Sequence, residues 1–310
     1  MAVQIGQLRA FLAVAERRHF TRAARELGMA QPSVSAHVRR LEADVGAELF
    51  QRTKGKVSLT PAGETLLPFA RRVIADVDAA TAELREVGGL ARGRITLGAT
   101  PSLAATLLPP VLARFHAAYP GIELAMREAG SRDLVAALEE GTVDIALVIL
   151  PVRGEALETQ PLLREELVLA VARSHPLASR RTIAIGDLRN VPLVMFREGY
   201  DLRASTEAAC RAAGFAPVFA VEGGEMDGVL RLTAAGLGAA IVPSLVIEPH
   251  GALKAVRIAG SALTRTIGLA QRRDRRLSRA GQELAETVRS LVRDRSWLKT
   301  SPRGLNVLRY

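Results

Sequence analysis

The stretch TRAARELGMAQPSVSAHVRRLEADVG, residues 21–46, determines how the N-terminal part of the chain folds. Thr21 is a suitable N-cap for a first short helix, predicted over residues 22–27 and ending at Gly28. Pro32 suits the first turn of a second helix, where a missing N–H costs little. That helix carries an apolar stripe at helical spacing, consisting of Val34, Val38, Leu41 and Val45. The stretch therefore predicts two helices joined by a tight turn.

The face opposite the apolar stripe carries small and basic side chains. At 100° per residue it includes or borders Pro32, Ser33, Ala36, Arg39 and Arg40. Small residues permit close approach to DNA, and arginine reaches bases or phosphates. Taken alone, the face fits a helix that enters the major groove or an ordinary surface helix with solvated arginines.

The flanking segments favour the DNA-binding interpretation. A helix is predicted over residues 5–17, with Leu8, Phe11, Leu12 and Ala15 on one face. After the second helix, TKGKVSLT at residues 53–60 predicts a hairpin with a basic tip. A hairpin in this place would form the wing of a winged helix-turn-helix domain.

About sixty N-terminal residues resemble the LysR-type transcriptional regulators. The matching residues are Phe11, Ala23, Ala24, Leu27, Gln31, Pro32, Ser35, Leu41, Glu42, Gly46, Leu49, Phe50, Arg52, Leu59, Thr60, Ala62 and Gly63. The resemblance implies binding to double-stranded DNA at a two-fold related operator. The DNA-binding residues we expect are Thr21, Gln31, Pro32, Ser33, Ser35, His37, Arg39, Arg40, Arg52 and Lys54. Ala30 and the pair Ala36-His37 depart from the residues that the family often has there, which affects base preference.

Charge is unevenly distributed along the 310 residues, whose net charge is +10. Residues 1–60 carry a net +5, residues 61–270 a net −2 and residues 271–310 a net +7. A basic N-terminal domain fits a polyanionic partner. The basic C-terminal end is interpreted as a solvated, partly disordered tail, with a second nucleic-acid contact as the alternative.

Composition limits the other classes of function. The only cysteine, Cys210, cannot form an intrachain disulfide or a cysteine-cluster metal site. We expect it to pack as a small hydrophobe, with a redox-sensing thiol as the alternative. The histidines lack close ligand spacing, so no metal is expected. Without a signal-peptide pattern or an apolar run of about 18 residues, the sequence predicts a cytoplasmic protein that does not enter membranes.

A long helix is predicted from residue 62 to 87. Its apolar positions, spaced by three and four, include Phe69, Val73, Val77 and Leu84. This spacing indicates a coiled-coil seam, which a second chain would cover. Packing on the C-terminal domain is the alternative. The resemblance implies a linker-helix dimer and, beyond it, a tetramer.

From residue 94 the pattern alternates between strand and helix, which predicts α/β structure with a mainly parallel sheet. Strands are predicted at 95–99, 122–127, 143–150, 166–172, 193–196, 218–221, 239–242, 252–258 and 265–271, and helices at 103–118, 131–140, 202–213, 225–235 and 278–293. The resemblance implies a two-lobed effector domain like a periplasmic binding protein. The expected domains are 1–60 (winged helix-turn-helix), 61–90 (linker helix), 91–300 (effector domain) and 301–310 (tail). Lobe I would take about 94–164 and 270–300, and lobe II about 165–269, with crossovers near 163–167 and 265–269.

Polar residues follow several predicted strands, where ligands bind in such sheets. Thr100, Pro101, Ser102 and Ser131 would lie on one lobe and Arg197 and Tyr200 on the other. Val148, Phe196 and Pro243 are also assigned to the cleft. Each hydroxyl could instead cap a helix, and Arg197 could instead pair with Glu198 or Asp201. We expect a small organic acid or an aromatic metabolite as the effector.

An enzyme is the competing class, but no G-x-S-x-G elbow, P-loop, H-E-x-x-H or dinucleotide fingerprint occurs. No cofactor is therefore expected. The sequence favours a ligand-responsive, sequence-specific transcription regulator. The alternatives are a constitutive DNA-binding protein without a ligand and a cytoplasmic solute-binding protein.

Overall fold

The computed structural model describes residues 3–53, 56–85, 93–154, 156–247, 251–259, 263–295, 297–298 and 305–308. The chain divides into two units. The first contains residues 1–88 with 139–142, and the second contains residues 89–138 with 143–310.

The first unit holds the helix-turn-helix and a two-stranded wing. Its elements are α1 Ile5–Arg17, α2 Phe20–Glu26, α3 Gln31–Val45, β1 Phe50–Thr53, β2 Lys56–Leu59 and α4 Pro61–Arg85. β1 and β2 pair antiparallel. The core is formed by apolar faces of the first three helices together with Leu49 and Phe50. The Phe50 ring packs against those of Phe11 and Phe20, with centroids 5.3 and 5.9 Å apart.

One local prediction in this unit is wrong. The N-cap of α2 is His19, whose Nδ1 accepts a hydrogen bond from the Thr21 backbone N–H at 3.2 Å. Thr21 itself lies within the first turn, because the helix begins at Phe20. The predicted face of α1 is confirmed, since Leu8 and Phe11 are buried and Leu12 and Ala15 pack half-buried against the same core, which also includes Ala13 and Val14. The stripe of α3 is as predicted, with Val34, Val38 and Leu41 buried.

The second unit is a two-lobed α/β domain. Its strands are β3 Gly93–Ala99, β4 Ile122–Glu128, β5 Ile145–Leu150, β6 Leu157–Ala172, β7 Thr182–Ala184, β8 Pro192–Phe196, β9 Val218–Gly224, β10 Ala240–Pro243, β11 Leu253–Ala259, β12 Thr264–Arg272 and β13 Leu305–Val307. Its α-helices are α5 Pro101–Ala105, α6 Leu108–Ala118, α7 Ser131–Glu139, α8 Asp201–Ala212, α9 Met226–Ala234 and α10 Arg279–Asp294. Short 3-10 helices cover Pro176–Ser179, Ile185–Leu188 and Ser244–Val246.

Strand β6 passes from one lobe into the other. Its first part pairs antiparallel with β12, whereas from Leu167 onward it pairs with β10 and β11. Each lobe has its own apolar core. The sheet is mixed rather than mainly parallel: β3, β4 and β5 are parallel, but the partners of β6 all run antiparallel to it.

The second crossover lies before β12, not at residues 265–269 as predicted. Every residue from Thr266 to Ala270 pairs with β5, so the whole of β12 belongs to lobe I. The expected lobe II limit of 269 is therefore too late. A strand also forms inside the predicted tail, since β13 pairs with β6 and buries Leu305. Its three residues are too few to give a readable period.

The single helix predicted over residues 103–118 is two helices. α5 begins earlier, at Pro101, and α6 begins at Leu108, directly before Pro109 and Pro110. Proline has no N–H to donate to a preceding turn, so the two prolines favour a new first turn at this point. The break leaves Thr100 at the N-cap position of a short helix.

Candidate functional site

A cavity of about 500 Å³ lies in the second unit between residues of the two lobes. Six predicted effector residues line it: Thr100, Pro101, Ser102, Ser131, Arg197 and Tyr200. Lobe I contributes the starts of α5 and α7 together with Ile149. Lobe II contributes the segment between β8 and α8. The carboxyl ends of β3, β4, β5 and β8 therefore supply much of the wall, as the α/β rule predicts.

Three predicted effector residues do not line the cavity. Val148 packs in the core under α7, because side chains alternate along β5 and Ile149 takes the cavity face. Phe196 is fully buried beneath Tyr200, with stacked rings 4.6 Å apart. Pro243 is buried and pairs with Leu167 on β6. The prediction that these three residues line the cavity is therefore wrong.

The three lobe I hydroxyls differ in what they bond. Ser131 Oγ accepts from the Ile149 N–H at 3.1 Å, and Ser102 Oγ accepts from Arg265 Nη1 at 2.8 Å. Thr100 occupies the N-cap position of α5, but its side chain makes no capping bond. Its Oγ1 is buried and has no hydrogen-bond partner within the described residues. Side-chain capping therefore does not account for Thr100.

A buried ion pair in the cavity wall was missed at the sequence level. Arg265 on β12 stands opposite Glu165 on β6, and both residues are buried. Arg265 Nε donates to Glu165 Oε2 at 2.8 Å, and Nη2 lies 2.7 Å from the same oxygen. The other carboxylate oxygen accepts from the Leu245 N–H at 2.7 Å. The burial of each charge could have been predicted, because each is in phase with the buried apolar positions of its strand, but the pairing could not.

Arg197 lies at the lobe II side of the cavity and is about half exposed. Its Nε donates to Glu225 Oε1 at 2.5 Å, and this bond raises the pKa of Arg197 above its ordinary value. The expected alternative partners were Glu198 and Asp201, but only the Glu198 backbone carbonyl accepts from Arg197, at 3.3 Å. The internal pair therefore exists, with a different acid.

Tyr200 lines the cavity from lobe II, and its hydroxyl is the polar atom to account for. The oxygen is buried without a hydrogen-bond partner within the described residues, and burial raises the pKa of the phenol. The Arg197 guanidinium lies 5.8 Å from the centre of its ring. A buried hydroxyl without a partner favours a ligand or a water, because native structures pair nearly all such groups.

Cys210 is fully buried on α8, and burial raises the pKa of its thiol. A thiolate is the reactive form of cysteine, so both effects make this side chain unreactive. The packing interpretation therefore fits the geometry better than the redox interpretation. Among the described residues, no cluster of histidine, cysteine, aspartate and glutamate could hold a metal ion. No described helix has the length and apolarity that membrane crossing requires.

The exposed positions of α3 include five of the ten predicted DNA-binding residues. Gln31, Pro32, Ser33, Arg39 and Arg40 are exposed, and so is Thr21 on α2. The other predicted residues are not part of this exposed set.

Ser35 and His37 are less available than predicted. Ser35 is buried, and its Oγ accepts from Gln31 Nε2 at 2.8 Å. The half-buried His37 ring lies beside Gly6 of α1. Arg52 lies in β1, but its side chain is outside the described residues, and so is Lys54.

Part of the predicted dimer seam is uncovered within its own unit. On α4, Phe69 is 63% exposed and Val73 is 42% exposed, whereas Val77 is half-buried. Leu84 belongs to the same helix, but its side chain is outside the described residues. Large apolar side chains in a row on a helix typify a face that a partner covers.

Comparison with known proteins places both units in one family. Residues 5–64 match the family model for the bacterial regulatory helix-turn-helix protein of the lysR family, and residues 88–293 match that for the LysR substrate binding domain. The chain belongs to the LysR family of regulators.

Relatives and solved structures of full length agree with this assignment. A probable hydrogen peroxide-inducible genes activator of Streptomyces viridosporus is 35% identical over 94% of this chain and 95% of the relative. The transcriptional dual regulator GltC of Bacillus subtilis (strain 168) is 31% identical over 92% and 96%. The structure of full-length CbnR complexed with its target DNA is 26% identical, with a TM-score of 0.69 over 93% of this chain and 99% of that one. The protein is thus a LysR-type transcriptional regulator with an effector-binding domain, and not an enzyme.

Proposed function

We propose that a small molecule bound in the cavity between the two lobes switches this regulator on its operator. The observation that carries the proposal is the combination of cavity and unpaired polar groups. Thr100 Oγ1 from lobe I and Tyr200 OH from lobe II are both buried without partners within the described residues, and both residues line the cavity. A ligand with polar groups would satisfy one donor or acceptor on each lobe.

A ligand that contacts both lobes can change their arrangement. The lobes are joined by β6, which passes from one into the other, and by the chain that leads into β12, so a change of their arrangement would involve both connections. A ligand shifts such an equilibrium by the difference between its affinities for the two states. Contacts from Thr100 and Tyr200 to one ligand would favour the closed state, in which both groups reach it.

The effector we propose is a small organic acid or an aromatic metabolite that binds without a covalent step. Several relatives are named for induction by hydrogen peroxide. Sensing by a disulfide within the chain would need a second cysteine, and this chain has one. Cys210 is buried with a raised pKa, so it is a poor thiolate.

The DNA-binding role rests on α3 and the wing. We propose that Gln31, Ser33 and Arg39 face a major groove, and that Arg52 and Lys54 of the wing contact phosphates. Ser35 and His37 would then act mainly by supporting neighbouring side chains. The uncovered face at Phe69 and Val73 supports self-association through α4 as a dimer or a tetramer. Two such domains related by symmetry would read a two-fold related operator in the cytoplasm.

We keep the proposed limits of 1–60 for the DNA-binding domain and 61–90 for the linker helix. The effector domain would then follow from about residue 91. These limits assign α4 to self-association and leave the cavity entirely to the effector domain.

The test compares Thr100→Val with Thr206→Val in the full chain. The Thr206 hydroxyl is also buried, but it donates to the Leu202 carbonyl at 2.7 Å within α8. Thr100→Val should leave the melting temperature unchanged or higher, because Oγ1 has no bond to lose. Thr206→Val should lower it, because an internal bond is removed.

A thermal-shift screen of small acids and aromatic metabolites on the wild-type chain then identifies the effector. Operator DNA comes from selection out of a random pool, and its binding is followed by fluorescence anisotropy with and without the compound. Thr100→Val should bind operator normally and lose the response, whereas Thr206→Val should keep it. Operator binding that no compound alters would favour the constitutive DNA-binding protein, and compound binding without any operator would favour the solute-binding protein.

A further inference from the structure

The buried pair of Arg265 and Glu165 combines features that a purely structural ion pair does not need. Arg265 lines the cavity, and Glu165 stands directly opposite it at the point where β6 enters lobe II. Glu165 also holds the 3-10 helix that follows β10, through the Leu245 N–H at 2.7 Å and Ser244 Oγ at 3.3 Å. The pair therefore joins the cavity wall of lobe I to a backbone segment of lobe II.

Arg265 has donor capacity left after its internal bonds. A guanidinium carries five N–H donors. Nε donates to Glu165, and one N–H of Nη1 donates to Ser102 Oγ. Nη2 is buried and close to the Glu165 carboxylate, yet it has no well-aligned hydrogen-bond partner within the described residues. Nη2 carries two N–H groups, and the ion pair with Glu165 occupies at most one of them, so a movement that opens Nη2 to the cavity would let the other donate to a ligand.

Two more residues of the cavity lining each have a buried polar atom without a hydrogen-bond partner in the part of the chain that the structure describes, Thr100 Oγ1 and Tyr200 OH. Hydroxyls can donate or accept, but a guanidinium nitrogen can only donate. The ligand group beside Arg265 must therefore be an acceptor. A carboxylate offers two acceptor oxygens and gains the strength of a charge-assisted bond.

The remaining charges limit how many such groups the cavity accepts. Glu165 neutralises Arg265, and Glu225 neutralises Arg197. Of the other charged residues on the lining, Arg132 is basic, whereas Asp133 and Asp201 are acidic. The lining therefore offers no surplus of positive charge, so a first carboxylate must share Arg265 with Glu165, and a second would only add repulsion from Asp133 and Asp201.

We propose that Arg265 binds a single carboxylate of the effector and that Glu165, by competing for the same guanidinium, sets how tightly that carboxylate is held. The proposal rests on the proposed function, since it assigns a chemical class to the same cavity. Glu165 is a positioning residue here, because it acts on the ligand through Arg265. Removing its charge should strengthen acid binding, whereas loss of a merely structural support would weaken it.

The experiment uses the full chain and three sets of probes with matched carbon skeletons. The monoacids are hexanoate and phenylacetate, the neutral analogues are hexanamide and phenylacetamide, and the diacid is adipate. Calorimetry at constant ionic strength measures each affinity in the wild type, Glu165→Gln and Arg265→Gln. Glu158→Gln is the matched control, because Glu158 is on the same strand but exposed and bonded to Gln271.

In the wild type, at least one monoacid should bind about tenfold more tightly than its amide, because the acid gains a charge-assisted bond. The same monoacid should also bind more tightly than adipate. Glu165→Gln should bind that acid about tenfold more tightly again and leave the amide unchanged. Gln keeps an acceptor oxygen for the Leu245 N–H, so the backbone contact survives. Arg265→Gln should abolish the preference for the acid, and Glu158→Gln should change nothing.

The double variant Glu165→Gln/Arg265→Gln covers the case in which a lone buried charge prevents folding. It carries neither charge, and it should bind the amide as the wild type does while showing no preference for the acid. Equal binding of acid and amide by the wild type would overturn the proposal, and so would weaker acid binding by Glu165→Gln. If amides bind and Thr100→Val abolishes that binding, the cavity remains the effector site and only the acid assignment fails. If no probe binds any variant, the acid assignment is rejected, and the broader compound screen decides the proposed function separately.

Discussion

Two arginines on opposite sides of the cavity have contrasting surroundings. Arg265 is buried, and its pair with Glu165 is shielded from water on β6 and β12. Arg197 pairs with Glu225 at a similarly short distance, but about half of each side chain is exposed. Distance alone would rank the two pairs as equals. Burial separates them, because an exposed pair is screened by water, whereas a buried charge that loses its partner cannot be solvated.

The largest loss of stability should come from removing one member of the buried pair. Arg265→Ala leaves the Glu165 carboxylate without its cation and should lower the free energy of unfolding by about 3–5 kcal/mol. Urea unfolding of the full chain, followed by a probe of the effector domain, measures this loss. A loss below about 1 kcal/mol would mean that water reaches the pair and that the contrast with Arg197 is wrong.

A smaller effect should follow from removing a neutral partner of the same guanidinium. Ser102→Ala deletes the acceptor of the 2.8 Å bond from Arg265 Nη1 and should cost about 1–3 kcal/mol. Ser205→Ala is the control, since Ser205 also lines the cavity but its hydroxyl bonds only the Asp201 carbonyl of its own helix. Equal losses in the two variants would show that burial of the Arg265 network adds nothing.

Protonation of the half-buried His175 should lower the stability by an amount between the losses expected for Arg265→Ala and Arg197→Ala. His175 Nδ1 accepts from the Leu177 N–H at 3.2 Å, and burial lowers the pKa of His175 below its ordinary value. The unfolded chain therefore binds the proton more readily, so the stabilisation is complete above about pH 6.5. It is lost as the pH falls through the lower, folded pKa.

Urea unfolding at several pH values should show this loss in the wild type. His175→Asn should reduce it, because asparagine caps a helix without titrating in this range. The same pH dependence in both proteins would assign the loss to other groups.

The smallest effect on stability should come from Arg197→Ala, whose melting temperature should match that of the wild type because the pair with Glu225 is exposed. Arg231→Ala, which breaks a still more exposed pair with Asp227, is the control. Binding of an acidic effector should nevertheless weaken in Arg197→Ala alone, since Arg197 lines the cavity. A clear fall in the melting temperature of Arg197→Ala would mean that the exposed pair stabilises the fold as the buried pair does, and the contrast between the two arginines would be wrong.

Of the charged residues at the cavity, the exposed one could be predicted from the sequence and the buried pair could not. Arg197 could be predicted because it follows a strand in a polar loop, where charged residues indicate a site. Arg265 and Glu165 lie inside strands, in the ranges where the crossovers were predicted. Only the register that places them opposite each other shows that they pair. Register depends on contacts between residues about a hundred positions apart, which a local pattern does not contain.

The spacing of apolar residues predicted the long elements well. It failed where one or two residues, such as a proline pair or a cap, determine where a helix begins. The bounds of α1 and the stripe of α3 followed directly from the spacing of apolar residues. The break between α5 and α6 depends on Pro109 and Pro110, and the N-cap of α2 depends on a histidine nitrogen. The position of Val148 required the phase of β5, because a shift of one residue exchanges the two faces of a strand.

The pairing of β13 with β6 has a consequence for how the chain folds during synthesis. β6 emerges from the ribosome long before β12 and β13, although Glu165 has Arg265 as its neighbour on one side and Leu305 on the other. The strands of lobe II follow β6 continuously up to β11, so this lobe can form while synthesis proceeds. Lobe I must wait for residues close to the C-terminus. Until those residues are made, the carboxylate of Glu165 lacks the arginine that neutralises it, and the cavity lacks part of its wall.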